Sequence, residues 1–213
     1  RKYGQYEWVR ITMENFRRNK GYSNGEIYWM WNDCWPSAMG WTFVDYYCQP
    51  KASYYSFKRA TAPILLSMTK KGENYDLYVI SDEKCGVSGE LALYAFGKSG
   101  MREISKDIIS GEGEFIVAEL KSEGKNYRTF YREGKLPIVP TTGAKITEQT
   151  ENSITVTADS YIHAVEFEGE YIFEDNYFSM LPGESRKITF KKVLLTVIVS
   201  LLIVLFFTTL YIY

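Results

Sequence analysis

Apolar residues near the start of the chain fall at three- and four-residue steps, Tyr6, Val9, Met13 and Phe16, with polar residues between them. That period marks one face of an amphipathic helix. Glu7 and Glu14, and the basic set Arg1, Lys2, Arg10, Arg17, Arg18 and Lys20, are assigned to its solvated faces. From Glu26 to Trp31 the chain is short, apolar and aromatic, with Gly25 before it and Asn32-Asp33 after it, which predicts a strand buried on both sides of a parallel sheet. Gln49-Pro50 then opens a second helix that runs through Ala60. Helix, buried strand, polar turn and helix is the α-β-α order of a repeating unit such as a TIM barrel, so residues 1–61 are predicted to be the carboxy-terminal end of a (β/α)8 barrel.

After Ala62-Pro63 the period changes. Short β-branched and aromatic runs, Ile64 to Thr69, Tyr75 to Ser81, Gly89 to Phe96, Phe115 to Leu120 and Tyr127 to Tyr131, alternate with clusters such as Lys71-Gly72-Glu73-Asn74. This spacing predicts an immunoglobulin-like β-sandwich over residues 62–135. Gly97-Lys98-Ser99 is a turn and not a phosphate loop, because no helix pattern follows it. Pro137, Pro140 and Gly143 mark a joint, and Ile146 to Gln149, Ser153 to Ala158, Ala164 to Gly169 and Arg186 to Phe190 predict a second, carboxy-terminal immunoglobulin-like β domain over residues 136–191. Within it Leu181-Pro182-Gly183 reads as the turn between two strands, and His163, the only histidine, as a strand residue.

The last stretch has no period. Val193 to Tyr213 carries no charged residue, follows Lys191-Lys192, and as a helix would cross ~30 Å of hydrocarbon. Residues 192–213 are therefore predicted to be a carboxy-terminal transmembrane helix, with the globular part membrane-associated and, by the positive-inside rule, cytoplasmic. A misassembled end replacing a last strand is the other reading.

Composition narrows the function classes. At 213 residues, 46% hydrophobic and 24% charged, the chain is long enough for one or two ordinary cores. A net charge of −1 gives no argument for a nucleic-acid partner. Cys34, Cys48 and Cys85 are odd in number and lack metal-ligand spacing, so neither a disulfide framework, nor zinc, nor a cofactor is indicated. The end of the predicted barrel strand is richer, because barrel chemistry sits at the carboxyl ends of strands and this end carries Trp29, Trp31, Asn32 and Asp33. Indole rings take the C–H face of a pyranose while Asn and Asp hold its hydroxyls, which makes a plausible monosaccharide subsite. Taken alone, each tryptophan is more often core.

The run Gly25-Glu26-Ile27-Tyr28-Trp29-Met30-Trp31-Asn32-Asp33-Cys34-Trp35-Pro36, with Trp41-Thr42-Phe43-Val44-Asp45-Tyr46-Tyr47 and Gln49-Pro50-Lys51, resembles the last barrel strand and following loop of β-mannosidases of glycoside hydrolase family 2. Phe173-Glu174-Asp175-Asn176-Tyr177-Phe178 through Leu181-Pro182-Gly183-Glu184-Ser185 resembles the family's final domain. The resemblance implies a retaining exo-β-mannosidase acting on terminal β-D-mannose of oligosaccharides, with Trp29, Asn32 and Asp33 as substrate-binding residues. It departs from the family at Met30-Trp31, where relatives often have Gln-Leu. Retaining glycosidases use two carboxylates ~5 Å apart, and the family's pair lies on barrel strands upstream of Arg1. The chain is thus expected to be a carboxy-terminal fragment, inactive alone, with no catalytic residue of its own. Two other readings remain: another family 2 exo-enzyme, a β-glucosaminidase or β-galactosidase, or a non-catalytic membrane-tethered carbohydrate-binding fragment.

Overall fold

A computed structural model describes residues 2–72, 74–84, 86–97, 100–103, 115–132 and 143–192. Two helices, α1 (Lys2–Arg18) and α2 (Ala52–Ala60), precede twelve strands. These are β1 (Ile64–Lys71), β2 (Asn74–Ser81), β3 (Glu90–Gly97), β4 (Gly100–Glu103), β5 (Phe115–Ser122), β6 (Lys125–Arg132), β7 (Ala144–Gln149), β8 (Ser153–Ala158), β9 (Ile162–Val165), β10 (Tyr171–Phe173), β11 (Phe178–Met180) and β12 (Ser185–Lys192). The predicted membrane segment Val193–Tyr213 lies outside the described residues. Among the described residues no helix is long and apolar enough to cross a membrane.

The strands make two packed β units. In the first, the antiparallel hairpin β1-β2 faces the sheet β4-β3-β5-β6 across a core of Leu66, Met68, Ala118 and Leu120. Glu123 and Gly124 both have positive φ, 49° and 73°, which is the two-residue turn that matches strand twist and fixes the register Ser122↔Lys125. β1 does not alternate: Leu65 to Met68 are all buried. Leu66 and Met68 enter the core, while Ser67 turns to α1, donating to Glu14 and accepting from Arg18, both at 2.6 Å. In the second unit, sheet β10-β12-β8-β7 packs on the pair β11-β9 around Val156, Phe173, Phe178, Met180 and Ile188. Leu181-Pro182-Gly183 is the turn between β11 and β12, with Gly183 at φ 78° donating to the Ala158 carbonyl at 2.7 Å. The units meet where Phe96 stacks on Tyr161 at 4.1 Å, and Arg128 of β6 bonds Glu119, the Ser179 carbonyl and Glu184.

Three expectations are corrected here. Glu26–Trp31 forms no strand: among the described residues no neighbouring strand supplies it with a ladder, and the pairing beside it is limited to the bridges Asn32↔Val44 and Val44↔Pro50. An apolar run states that residues avoid water, whereas a strand also needs partners for its backbone groups. Several charged positions of α1 are likewise not solvated, although Lys2 is. Glu14 is 4% exposed, and Arg10 is wedged between Glu7 at 3.0 Å and Glu14 at 3.1 Å with its guanidinium carbon 4.3 Å from the centre of the Phe130 ring. Arg17 reaches the Ala60 carbonyl and Asp82. The expected Ala164 to Gly169 strand is shifted to Ile162–Val165, and β4, β10 and β11 were not anticipated.

His163 sits on β9 between helix and sandwich. Its Nε2 meets the Tyr3 hydroxyl, its Nδ1 lies 3.1 Å from the Tyr161 hydroxyl, and Tyr3 in turn is 3.0 Å from Glu7. A neutral ring serves both contacts. Burial pushes its pKa down to about 4; Glu7 opposes this, and Arg10 and Arg132 add to it.

Two outcomes follow from this packing. Arg10→Met, which strands Glu7 and Glu14 in a dry interface, is expected to cost about 3–5 kcal/mol in urea unfolding, with part recovered in Arg10→Met/Glu14→Gln. The unfolded chain takes a proton on His163 near 6.5 while the folded chain refuses it until about 4, so acid favours unfolding across that window. Stability should fall by up to about 3 kcal/mol between those limits, and His163→Gln should flatten that part of the profile.

Candidate functional site

The loop between α1 and α2 is held by its backbone and by one buried ion pair. Phe43 and Val44 both donate to the Trp31 carbonyl at 3.0 Å, Asp33 donates to the Val44 carbonyl at 3.0 Å, and Lys51 donates to the Phe43 carbonyl at 2.8 Å. Phe43 is the apolar centre of the loop: Tyr28 stacks on it at 3.9 Å and Trp31 meets it edge-on at 5.5 Å, with Val9, Met13 and Ala60 beneath. Asp45 closes the distal turn by accepting from the amides of Tyr47 and Gln49.

Asp33 is the peg. It is 7% exposed, one carboxylate oxygen accepts from Lys51 Nζ at 2.6 Å, and the other accepts from the Thr42 hydroxyl. Lys51 Nζ also lies 2.7 Å from Thr42 Oγ1. Burial works against the charge on Asp33, but the bonds from Lys51 and Thr42 outweigh it and hold the carboxyl below its ordinary range. Gly40 leaves room for this pair: a Cβ there would stand 2.6 Å from Asp33 Oδ1 and 3.2 Å from Lys51 Nζ, so the pair would have to shift.

With the peg in place, Trp29 projects from the loop at 77% exposure, joined to Met30 by a cis peptide. Asn32 is exposed beside it, its amide 3.2 Å from the Asp33 carbonyl. The three residues singled out in the sequence therefore lie on one loop, two facing solvent and the third turned inward. Lys51, Thr42 and Gly40, which fix them, carry no sequence signal of that role, because an Asp–Lys pair eighteen positions apart matches no local rule. Trp31 is half spent on packing, and Trp35 and Trp41 are exposed. Cys34 and Cys48 are free thiols at the surface. Among the described residues no three His, Cys, Asp or Glu side chains gather as a metal requires.

Residues 138–197 match the Ig_mannosidase family, an Ig-fold domain. The chain carries a mannosidase-type immunoglobulin domain. β-Mannosidase B of Aspergillus niger is 28% identical over 121 residues, 49% of this chain and 14% of that protein. β-Mannosidase B of Thermothelomyces thermophilus is 42% identical over 50 residues, 24% of this chain and 6% of that protein. The crystal structure of the β-D-mannosidase from Dictyoglomus thermophilum superposes with a TM-score of 0.68 at 25% identity, covering 89% of this chain and 27% of that one. The exo-chitosanase CsxA of Amycolatopsis orientalis shares the fold at a TM-score of 0.61, with 18% identity over 89% of this chain and 31% of that one. These matches bear out the resemblance to β-mannosidases of glycoside hydrolase family 2. The chain thus spans between 6% and 31% of the length of these relatives.

Gly40→Ala should drive Asp33 and Lys51 apart and loosen the loop. The expected readouts are a red-shifted tryptophan emission and faster tryptic cleavage near Lys51, with Tyr22→Ala, a 96% exposed position just after α1, unchanged as the control.

Proposed function

We propose that the chain is the carboxy-terminal part of a retaining exo-β-mannosidase that releases terminal β-D-mannose from oligosaccharides. The observation that carries this reading is the pegged loop, which presents Trp29 and Asn32 to solvent at its open side, in a chain similar to β-mannosidases in both sequence and fold. In this reading α1, the loop and α2 close a (β/α)8 barrel, residues 62–135 and 136–191 form its two following β domains, and the carboxylate pair is supplied by the barrel outside this sequence. Trp29 stacks on the terminal sugar and Asn32 meets its hydroxyls. Asp33, whose carboxylate is engaged by Lys51 and Thr42, serves the sugar by keeping Asn32 and Trp29 in place.

The full-length polypeptide that contains this sequence is expected to cleave aryl β-mannoside in preference to β-galactoside and β-glucosaminide, while residues 1–213 alone cleave none. Trp29→Ala in that full-length enzyme should lower kcat/KM by about 10²-fold, since a stacking ring positions the reacting sugar. Unchanged kinetics in Trp29→Ala would remove the loop from the subsite, and a preference for glucosaminide or galactoside would move the enzyme to another exo-glycosidase class.

A further inference from the structure

A cleft of about 860 Å³ opens on the other side of the tryptophan loop, between residues 37–51 and the segment 166–177 of the second β unit. Trp29, Asn32 and Asp33 do not line it. Its size falls within the ~300–1,000 Å³ of ligand-binding clefts. Of its aromatic residues, two from distant parts of the chain are exposed: Trp41, 62% exposed, on the loop, and Tyr171, 37% exposed, on β10.

The charged groups of the cleft are already engaged within the protein, Lys51 by Asp33 at 2.6 Å. Lys2 pairs with Glu166 at 2.7 Å and Glu168 at 2.6 Å, Glu166 also accepts from the Tyr177 hydroxyl at 2.7 Å, and Asp45 is taken by two backbone amides. Neutral groups remain open. Among the described residues neither the Trp41 indole N–H nor the Gln49 side-chain amide has a hydrogen-bond partner, and Trp41 makes no ring contact. The walls are fixed before any ligand arrives, because Tyr55 bonds the Phe173 carbonyl at 3.1 Å and Asn176 clasps both the amide and the carbonyl of Phe167.

Aromatic faces beside unpaired neutral donors, with the charged side chains already engaged in hydrogen bonds, suit an uncharged polyhydroxylated ring. The geometry points to a second sugar subsite in this cleft, separate from the Trp29 surface, that holds a neutral hexose oligosaccharide between Trp41 and Tyr171 with Gln49 on its hydroxyls. The inference takes its ligand class from the chemistry of the cleft, and it rests on the glycosidase reading only for the claim that the oligosaccharide is one the parent enzyme meets. In that setting the cleft would hold a more distant part of a chain whose end lies at Trp29, or a neighbouring strand of the same polysaccharide.

The test is titration of the full 213-residue chain with β-1,4-mannotriose, followed by saturation-transfer NMR and calorimetry. Millimolar binding is expected, with affinity falling about tenfold in Trp41→Ala and in Gln49→Ala and unchanged in Trp35→Ala, an exposed ring of the same loop that does not line the cleft. Trp41 is an exposed ring with no aromatic or side-chain hydrogen-bond partner among the described residues, so its loss should leave the melting temperature in place; a Trp41→Phe variant should recover part of the affinity, which a purely structural effect would not do. Absence of mannotriose binding by the unaltered chain overturns the inference. So does binding that is lost in Trp29→Ala and kept in Trp41→Ala, an outcome that leaves the proposed function standing. Conversely, binding that depends on Trp41 sustains the subsite even if the full-length enzyme prefers a sugar other than mannoside.

Discussion

Arg10 carries a full charge into an interface from which water is largely excluded, and the arrangement of the chain depends on that charge being matched. Burial opposes it, but Glu14 and Glu7 outweigh the penalty and raise the guanidinium above its ordinary pKa. The pair of carboxylates is itself acceptable only because Arg18 and Ser67 share Glu14 and Tyr3 shares Glu7. In a medium of low effective dielectric such a network stands or falls together. It ties α1 to β1 through Ser67, to β6 through Phe130 and to β9 through Tyr3 and His163. One helix thereby fixes both β units at once.

The second helix adds the same kind of constraint from the other side. Arg59 of α2 donates to Asp175 and to the carbonyls of Asn176 and Tyr177, while Asp175 also accepts from Arg186 at 2.6 Å. Burial again works against the charge, and Tyr6 and Asp175 more than compensate. With α1 and α2 fastened to the β units, the loop between them has a fixed floor, and its own peg, Asp33 with Lys51 and Thr42, needs only to hold a local shape. The exposed aromatic rings are therefore held by rigid anchors a few residues away, as a binding surface requires. The cleft beside them is a product of the same geometry: it exists because the loop and the second unit are each secured to the helices and leave a gap between.

Local pattern was a good guide wherever one element could satisfy itself. The first helix followed from Tyr6, Val9 and Met13, the hairpins from alternation and turn residues, and the Leu181-Pro182-Gly183 turn from its composition. It was a poor guide wherever a residue's state depended on something distant. Glu26–Trp31 has the texture of a doubly buried strand, but texture cannot supply a neighbouring ladder. Arg10 and Glu14 occupy positions that the helical period assigns to water, and they are buried because strands more than fifty residues away cover them. Trp29 and Asn32 could be singled out from the motif, while the peg that displays them could not.

The sequence by itself determined the two helices, most of the strands and the turns between them, and which residues offer chemistry suited to a sugar. Those properties follow from short-range sterics, periodicity and side-chain type. Only the tertiary structure decided which charges are buried, which aromatic rings are spent on packing and which are free, and where two distant segments enclose a cleft. Those properties are energies of desolvation and contact, and they have no value until the chain has brought its remote parts together.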